Sequence, residues 1–272
     1  MAVSERQQVE VGEVVLRYDE LGTGDPPLLL LHGFTGAAVD FVDVAPDLAQ
    51  DRRVVMYDQR GHGDSTNTGD ASTYTFDQLT ADLAGFVAAL ELAPFDLLGH
   101  SMGGIISMQY VLAHPERVRS LVLMDTGAAP AARLADVFGG LTKMGREQGM
   151  DAVFAVIRQF WVQQAEAAGQ AAPEVMLERV GRKFSTMDPE AFATFADALG
   201  EYPSMVERLG EISCLTTVIV GANDTGLRAS ADVMAERIAG AELIVIPDAG
   251  HSPQEDQPAA WVAAVRRHLA RV

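Results

Sequence analysis

Ser101 stands in the run Gly99-His100-Ser101-Met102-Gly103, between the apolar stretch Phe95 to Leu98 and a helix-forming run that carries Ile105, Ile106, Met108 and Tyr110. A serine at so tight a turn from strand to helix is lifted above the sheet, in a strained backbone conformation that requires glycine two positions to either side. The Met102 N–H, at the positive end of the helix, then points into the same space as the hydroxyl. A serine hydroxyl is a poor nucleophile at neutral pH; it needs a base to take its proton and an acid to orient the base. Six histidines are available. His32 lies in a glycine-bearing loop, His62 in a turn, His100 beside the serine, His114 at a helix end and His268 in the C-terminal helix. His251 alone sits in a glycine-flanked loop after a strand and downstream of an acid. That acid is expected to be Asp224, in Gly221-Ala222-Asn223-Asp224, with Asp125, which also ends a strand, as the alternative. Together these residues could form and break an acyl-serine bond.

The elements that must carry them follow from hydrophobic periodicity. Val9 to Val11 and Val14 to Tyr18, separated by Gly12 and Glu13, read as an antiparallel hairpin. Leu28 to Leu31 are wholly apolar, as in a strand buried on both faces, and lead into His32-Gly33-Phe34-Thr35-Gly36. That loop can present the Phe34 N–H beside the Met102 N–H to a developing oxyanion. Ala37 to Gln50 carry helical spacing, and Arg53 to Tyr57 form the next strand. It ends in Asp58-Gln59-Arg60-Gly61-His62-Gly63-Asp64-Ser65, a turn in which Asp58 and Arg60 are expected to bridge locally. Phe76, Leu79, Leu83, Phe86 and Leu90 mark an amphipathic helix, and Val118 to Met124 another buried strand. Between about Ala128 and Tyr202 no strand pattern occurs. Val153, Val156, Ile157, Phe160 and Trp161 share one helical face, and Phe192, Phe195 and Leu199 another, behind Asp188 and Pro189 as a start signal. Leu215 to Val220 and Leu243 to Ile246 restore the strands. Strands alternating with helices in this way imply an α/β domain with a mainly parallel sheet.

The chain has 272 residues, 48% of them hydrophobic, enough for one large domain with an inserted subdomain. Its net charge of −18 comes from 38 acidic against 20 basic residues with no basic stripe, so nucleic acid is excluded as an expected partner. A single cysteine, Cys214, rules out an internal disulfide and is expected to be a core thiol. With no apolar run of signal or membrane-span length, the expected compartment is the cytoplasm.

Taken whole, the chain resembles the α/β-hydrolase superfamily, in particular its capped esterase, enol-lactonase and cofactor-free haloperoxidase-like branch. His32 to Gly36, Asp58 to Ser65, Gly99 to Gly104, Gly221 to Asp224 and Gly250-His251 all look like its motifs, and Ser101, Asp224 and His251 follow its order of nucleophile, acid and histidine. The resemblance implies an α/β-hydrolase fold: a mostly parallel eight-stranded sheet flanked by helices, with a helical cap inserted after the sixth strand. Residues 1–127 and 206–272 would be the core and 128–205 the cap. Epoxide hydrolases and haloalkane dehalogenases carry aspartate where Ser101 stands, which disfavours their reactions. A menaquinone-pathway synthase with similar motifs places arginine where this chain has Ile105.

The expected function is hydrolysis of a carboxylic ester, lactone or thioester of an uncharged small molecule, with Ser101, His251 and Asp224 as catalytic residues and the Phe34 and Met102 N–H groups as oxyanion donors. Phe34, Phe160, Trp161 and Met187 are the expected substrate-lining side chains. No cofactor and no metal are expected, and no membrane partner. The same triad would also serve C–C bond hydrolysis or perhydrolysis, and a ligand-binding receptor on the same fold is the reading from another class; loss of a triad member would have favoured it.

Overall fold

A computed structural model describes residues 6–92, 94–130, 133–167 and 174–272. The hairpin is β1 (Gln7–Val11) and β2 (Val14–Leu21), followed by β3 (Leu28–Leu31) and β4 (Val54–Tyr57). Further along come β5 (Phe95–His100), β6 (Val118–Met124), β7 (Leu215–Gly221) and β8 (Glu242–Ile246). They form one sheet in the order β1-β2-β4-β3-β5-β6-β7-β8. β1–β2 and β2–β4 are antiparallel and every other pair is parallel. β2 alternates buried and half-buried residues, as suits a strand with one face toward water, while β3, β4 and β5 are buried throughout.

The α-helices among the described residues are α1 (Ala45–Leu48), α2 (Phe76–Ala89), α3 (Met102–Ala113), α4 (Arg133–Gln148), α5 (Met150–Ala167), α6 (Glu174–Thr186), α7 (Pro189–Glu201), α8 (Arg228–Arg237), α9 (Pro253–Asp256) and α10 (Pro258–Leu269). Alternate side chains of β3 divide the core. Leu29 and Leu31 join Phe86 of α2, Ile106 of α3 and Met234 of α8 on one face, while Leu28 and Leu30 join Leu48 of α1 and Trp261 of α10 on the other. This is the layered sheet with helices on both faces that the strand and helix alternation implied.

Helices α4 to α7 occupy the chain between β6 and β7. The ends of this insertion meet: Tyr202 Oη reaches the Gly127 and Ala129 carbonyls at 2.8 and 2.6 Å, and the Met205 N–H donates to the Ala128 carbonyl at 2.7 Å. Asp188 caps α7 by accepting from the Glu190 N–H, with Pro189 in the first turn, and its other oxygen takes the Gly69 N–H and the Tyr74 hydroxyl. The cap residue of one helix therefore also pins the insertion to the sheet domain.

Three expectations are corrected. Ala37 to Gln50 do not make one helix; a 3-10 turn at Ala38–Phe41 is followed by the single turn α1, with Pro46 in its first turn. Proline removes a backbone donor and clashes with the preceding turn, so a continuous helix cannot run through it. Asp58 and Arg60 do not bridge to each other. Asp58 pairs with Arg6 at 2.6 Å and accepts the Ala38 and Asp64 N–H groups, while Arg60 forks onto Asp82 of α2. Phe160 does not face inward; it is 56% exposed, with Val156 beside it on the same edge of α5. At about 100° per residue, Val153, Phe154, Ile157 and Trp161 span one arc, and Val156 and Phe160 lie beyond its edge, where they stay open to water.

Candidate active site

β5 runs into Ser101, whose φ of 52° and ψ of −116° are unusual for a residue with a side chain. Its neighbours hold it there. The Ser101 N–H donates to the Met124 carbonyl at 2.9 Å, and the Ser101 carbonyl accepts the Thr126 hydroxyl at 2.7 Å and the Gly104 N–H at 2.9 Å. A Cβ on Gly103 would stand 2.6 Å from both the Leu31 and His32 carbonyl oxygens, backbone atoms that cannot turn aside, and one on Gly99 would run into Ser107 and the Gly103 backbone. Both glycines are therefore demanded by close approach, since neither has a positive φ. Met102 opens α3, so its N–H is among the first four of a helix, which have no acceptor within it.

The loops after β7 and β8 bring the acid and the histidine to the same edge. The Asn223 N–H donates to the Ala249 carbonyl at 2.8 Å, and the Gly250 N–H to Asp256 at 2.7 Å. His251 Nε2 lies 3.1 Å from Ser101 Oγ and His251 Nδ1 lies 2.7 Å from Asp224 Oδ2. The His251 side chain is 49% exposed, so the pair opens to solvent on one side. Burial opposes ionisation of Asp224, but the hydrogen bond and charge of His251 outweigh it and hold the carboxyl below the usual aspartate range. A carboxylate in contact with Nδ1 places the imidazole proton there and leaves the Nε2 lone pair toward the serine hydroxyl.

Four of the other five histidines are buried and hydrogen-bonded elsewhere. His268 is buried between Thr217 at 2.8 Å and Ser120 at 2.9 Å. Burial lowers the pKa of His62 and His100 to about 3 and that of His268 to about 4, and lowers His32 as well. All four are neutral in the fold. His100 and His32 nonetheless shape the site. His100 Nε2 is 2.7 Å from the His251 carbonyl, which can only accept, so the ring donates and fixes the His251 backbone. His32 Nε2 accepts the Gln59 N–H at 3.0 Å, which puts its proton on Nδ1, where it donates to the Gly33 carbonyl at 2.8 Å. The Gly36 N–H holds that carbonyl too, at 3.0 Å. In a trans peptide C=O and N–H point oppositely, so binding the Gly33 oxygen on one side turns the Phe34 N–H to the other. A Cβ on Gly33 would stand 2.9 Å from Ser101 Cβ, which measures how closely this loop passes the serine.

The loop is tied to the insertion. Asp40 takes the Ala37 N–H at 3.1 Å and, with its other oxygen, Lys183 of α6 at 2.5 Å. The Phe34 ring stacks on Phe192 of α7 at 5.3 Å and meets Phe138 of α4 edge-on at 5.4 Å. Met187 is buried, Trp161 is half-buried against the main core cluster, and Phe160 lies outside. Sequence reasoning misses Lys183, since a lone lysine on an amphipathic helix looks like any solvated charge, and Phe138, whose place depends on how α4 crosses α7. One oxygen each of Asp125 and Asp224 and a ring nitrogen of His251 lie within 4.8 Å of one another. That spacing suits a cation, but the direct contact between Asp224 and His251 already satisfies the imidazole.

Known proteins are similar to this chain in sequence and fold. The family model described as alpha/beta hydrolase fold matches residues 26–258. The sn-1-specific diacylglycerol lipase of Mus musculus is 28% identical over 262 residues, covering 90% of this chain and 81% of that protein. The 3-oxoadipate enol-lactonase 2 of Acinetobacter baylyi is 26% identical over 261 residues, covering 95% and 94%. Among solved structures, a thermophilic esterase from Thermogutta terrifontis in a malate-bound form superposes with a TM-score of 0.84 and 27% identity, over 98% of this chain and 99% of that one. No helix among the described residues is long and apolar enough to cross a membrane.

Proposed function

This chain belongs to the α/β-hydrolase fold family, and on that premise we propose that it is a serine hydrolase cleaving a carboxylic ester, lactone or thioester of an uncharged small molecule through an acyl-enzyme. The observation that carries this reading is the unbroken line from Ser101 Oγ through His251 to Asp224, at 3.1 and 2.7 Å. Ser101 attacks the carbonyl as His251 Nε2 takes its proton. The C=O electrons move to oxygen, and the Phe34 and Met102 N–H groups receive the oxyanion. On collapse the bond to the leaving group breaks and His251 returns the proton to it. Water then repeats the sequence on the acyl-serine, releasing the acid and restoring the hydroxyl. Asp224 holds the imidazole tautomer and stabilises the imidazolium throughout.

Residues 128–205 act in this reading as a cap over the site, and Phe34 and Phe138, backed by the buried Phe192, give it an apolar wall for the acyl chain. Lys183, which reaches the loop from α6, is already paired with Asp40 and so is not free to hold a substrate carboxylate. We therefore expect butyrate and hexanoate esters to be turned over with a higher kcat/KM than a succinate monoester. A clear preference for the succinate would overturn the apolar-pocket reading. Covalent labelling of Ser101 by a fluorophosphonate, together with hydrolysis of a nitrophenyl ester, tests the mechanism itself. A chain that binds esters but neither labels nor turns over is the receptor instead.

A further inference from the structure

Asp125 follows β6 directly, with a φ of 42° that aspartate adopts only when its surroundings enforce it. They do: its N–H donates to the Ile219 carbonyl at 2.9 Å, and its Oδ1 accepts the Gly221 N–H at 2.9 Å, so backbone and carboxyl are both moored to β7. The side chain is buried, and Oδ2 meets no hydrogen-bond donor among the described residues. The ionisable groups facing it are Asp224 in the loop after β7, Asp256 on α9 and, beyond Asp224, His251. Two carboxylates this close, one of them fully enclosed, cannot both be ionised at modest cost. Desolvation pushes the Asp125 carboxyl up to about 8, opposed by the Gly221 N–H and reinforced by the Asp224 charge, whereas Asp224 is held low by His251. One proton thus resides on the pair, and Oδ2 of Asp125 is the atom without another partner.

Resting on the serine-hydrolase reading above, we propose that Asp125 is a positioning residue, a buried carboxylic acid that donates its Oδ2 proton to the Asp224 carboxylate and keeps that carboxylate aligned on His251 Nδ1. No bond is made or broken at Asp125 during turnover. It is not the acid partner of the histidine, because Nδ1 is already engaged by Asp224 at 2.7 Å. Its part is to occupy a lone pair that a half-buried Asp224 would otherwise turn toward water. The line then has four members, with the outermost neutral.

The experiment compares Asp125→Asn and Asp125→Ala, each in the natural chain and in an Asp224→Ala background, reading kcat, KM and the rate of Ser101 labelling by a fluorophosphonate. An asparagine amide can donate to Asp224 while its oxygen still accepts from Gly221, so Asp125→Asn retains most of kcat. Alanine removes a hydrogen bond to a charged group and lowers kcat by about tenfold to a hundredfold with KM little changed. In the Asp224→Ala background the alanine substitution adds almost nothing, because there is no carboxylate left to position. Above about pH 8 the natural enzyme loses its donor as Asp125 ionises and Asp125→Asn does not, so their ratio of kcat falls on the alkaline side. The proposal is overturned if asparagine costs as much as alanine, or if alanine costs the same in both backgrounds, the mark of a merely structural role. Asp125→Asn damaging turnover more than Asp224→Asn would move the catalytic acid to Asp125. Should alanine fail to fold, the asparagine variant and its pH profile still decide. Absence of Ser101 labelling in the natural chain removes the serine reading and this proposal with it; labelling with indistinguishable Asp125 variants removes this proposal alone.

Discussion

The direction of the Ser101 hydroxyl is set by a backbone at φ 52° that is held by Met124, Thr126 and Gly104 through its N–H and carbonyl. Ser101→Ala therefore deletes the proposed nucleophile without loosening the turn. It should lower kcat/KM for a nitrophenyl ester by about a thousandfold or more, with the melting temperature close to that of the natural chain, and the oxyanion donors sustaining the remainder. Near-natural rates in this variant would end the serine mechanism. At this scale much of the site is legible in the sequence. Gly99 and Gly103 announce a close approach, and the histidines sort themselves by their neighbours along the chain. His251 has a strand before it and an acid upstream, and it is the one at hydrogen-bond distance from both Ser101 and Asp224. The relation of Asp125 to Asp224 is not legible as a contact. The two are nearly a hundred residues apart, and only the parallel register of β6 and β7, Met124 beside Ile219, sets their loops side by side. Phe160 misleads for the opposite reason: periodicity marks an apolar stripe but not how much of it a neighbour will cover.

Among the elements, helices α4 to α7 meet the loop beside the serine through the aromatic contacts of Phe34 and through one ion pair. Lys183 of α6 enters beside the loop of residues 32–36 and meets Asp40, with both side chains nearly buried at 12% and 6% exposure. Lys183→Met leaves the Asp40 charge enclosed with only the Ala37 N–H to satisfy it, and should cost about 3 kcal/mol of stability, the penalty for an unpaired enclosed charge. Adding Asp40→Asn should recover a good part of that loss, since the amide oxygen still accepts from Ala37 and no charge remains. Urea unfolding of the single and double variants checks this; a double variant no more stable than the single would mean that the ion pair is not what was lost. The strands are easily read, because Leu28 to Leu31 and Val118 to Met124 have no other way to be buried. The stretch from Ala37 to Gln50 misleads, since its helical spacing runs across Pro46. Lys183 cannot be placed at all without knowing where α6 packs.

For the molecule as a whole, a net charge of −18 hides a cluster of groups whose protonation in the fold differs from that in the unfolded chain. His32, His62, His100 and His268 are all buried and neutral, with pKa values lowered, to about 3 for His62 and His100 and about 4 for His268. In the unfolded chain each titrates near its ordinary value of about 6.5. Below that value the unfolded state binds protons that the fold excludes, so their contribution is fully present above about pH 6.5 and is lost as the pH falls toward 4 or 3. Asp125 works in the other direction, holding in the fold a proton that the unfolded chain gives up above about pH 4. At pH 5 unfolding puts about three protons on His62, His100 and His268 and releases about one from Asp125, so about two are taken up net, a slope of about 2.7 kcal/mol per pH unit, to which His32 adds in the same direction. The melting temperature should accordingly fall between pH 7 and pH 5 at constant ionic strength, although acidification over that range lowers the overall negative charge and by that effect alone would favour the compact state. His268→Gln, which can keep hydrogen bonds to both Thr217 and Ser120, should make the fall shallower by the equivalent of one proton. A melting temperature that stays flat or rises from pH 7 to pH 5, and that His268→Gln leaves unchanged, would mean that the buried imidazoles take up protons inside the fold, where a protonated His32 could no longer accept from the Gln59 N–H.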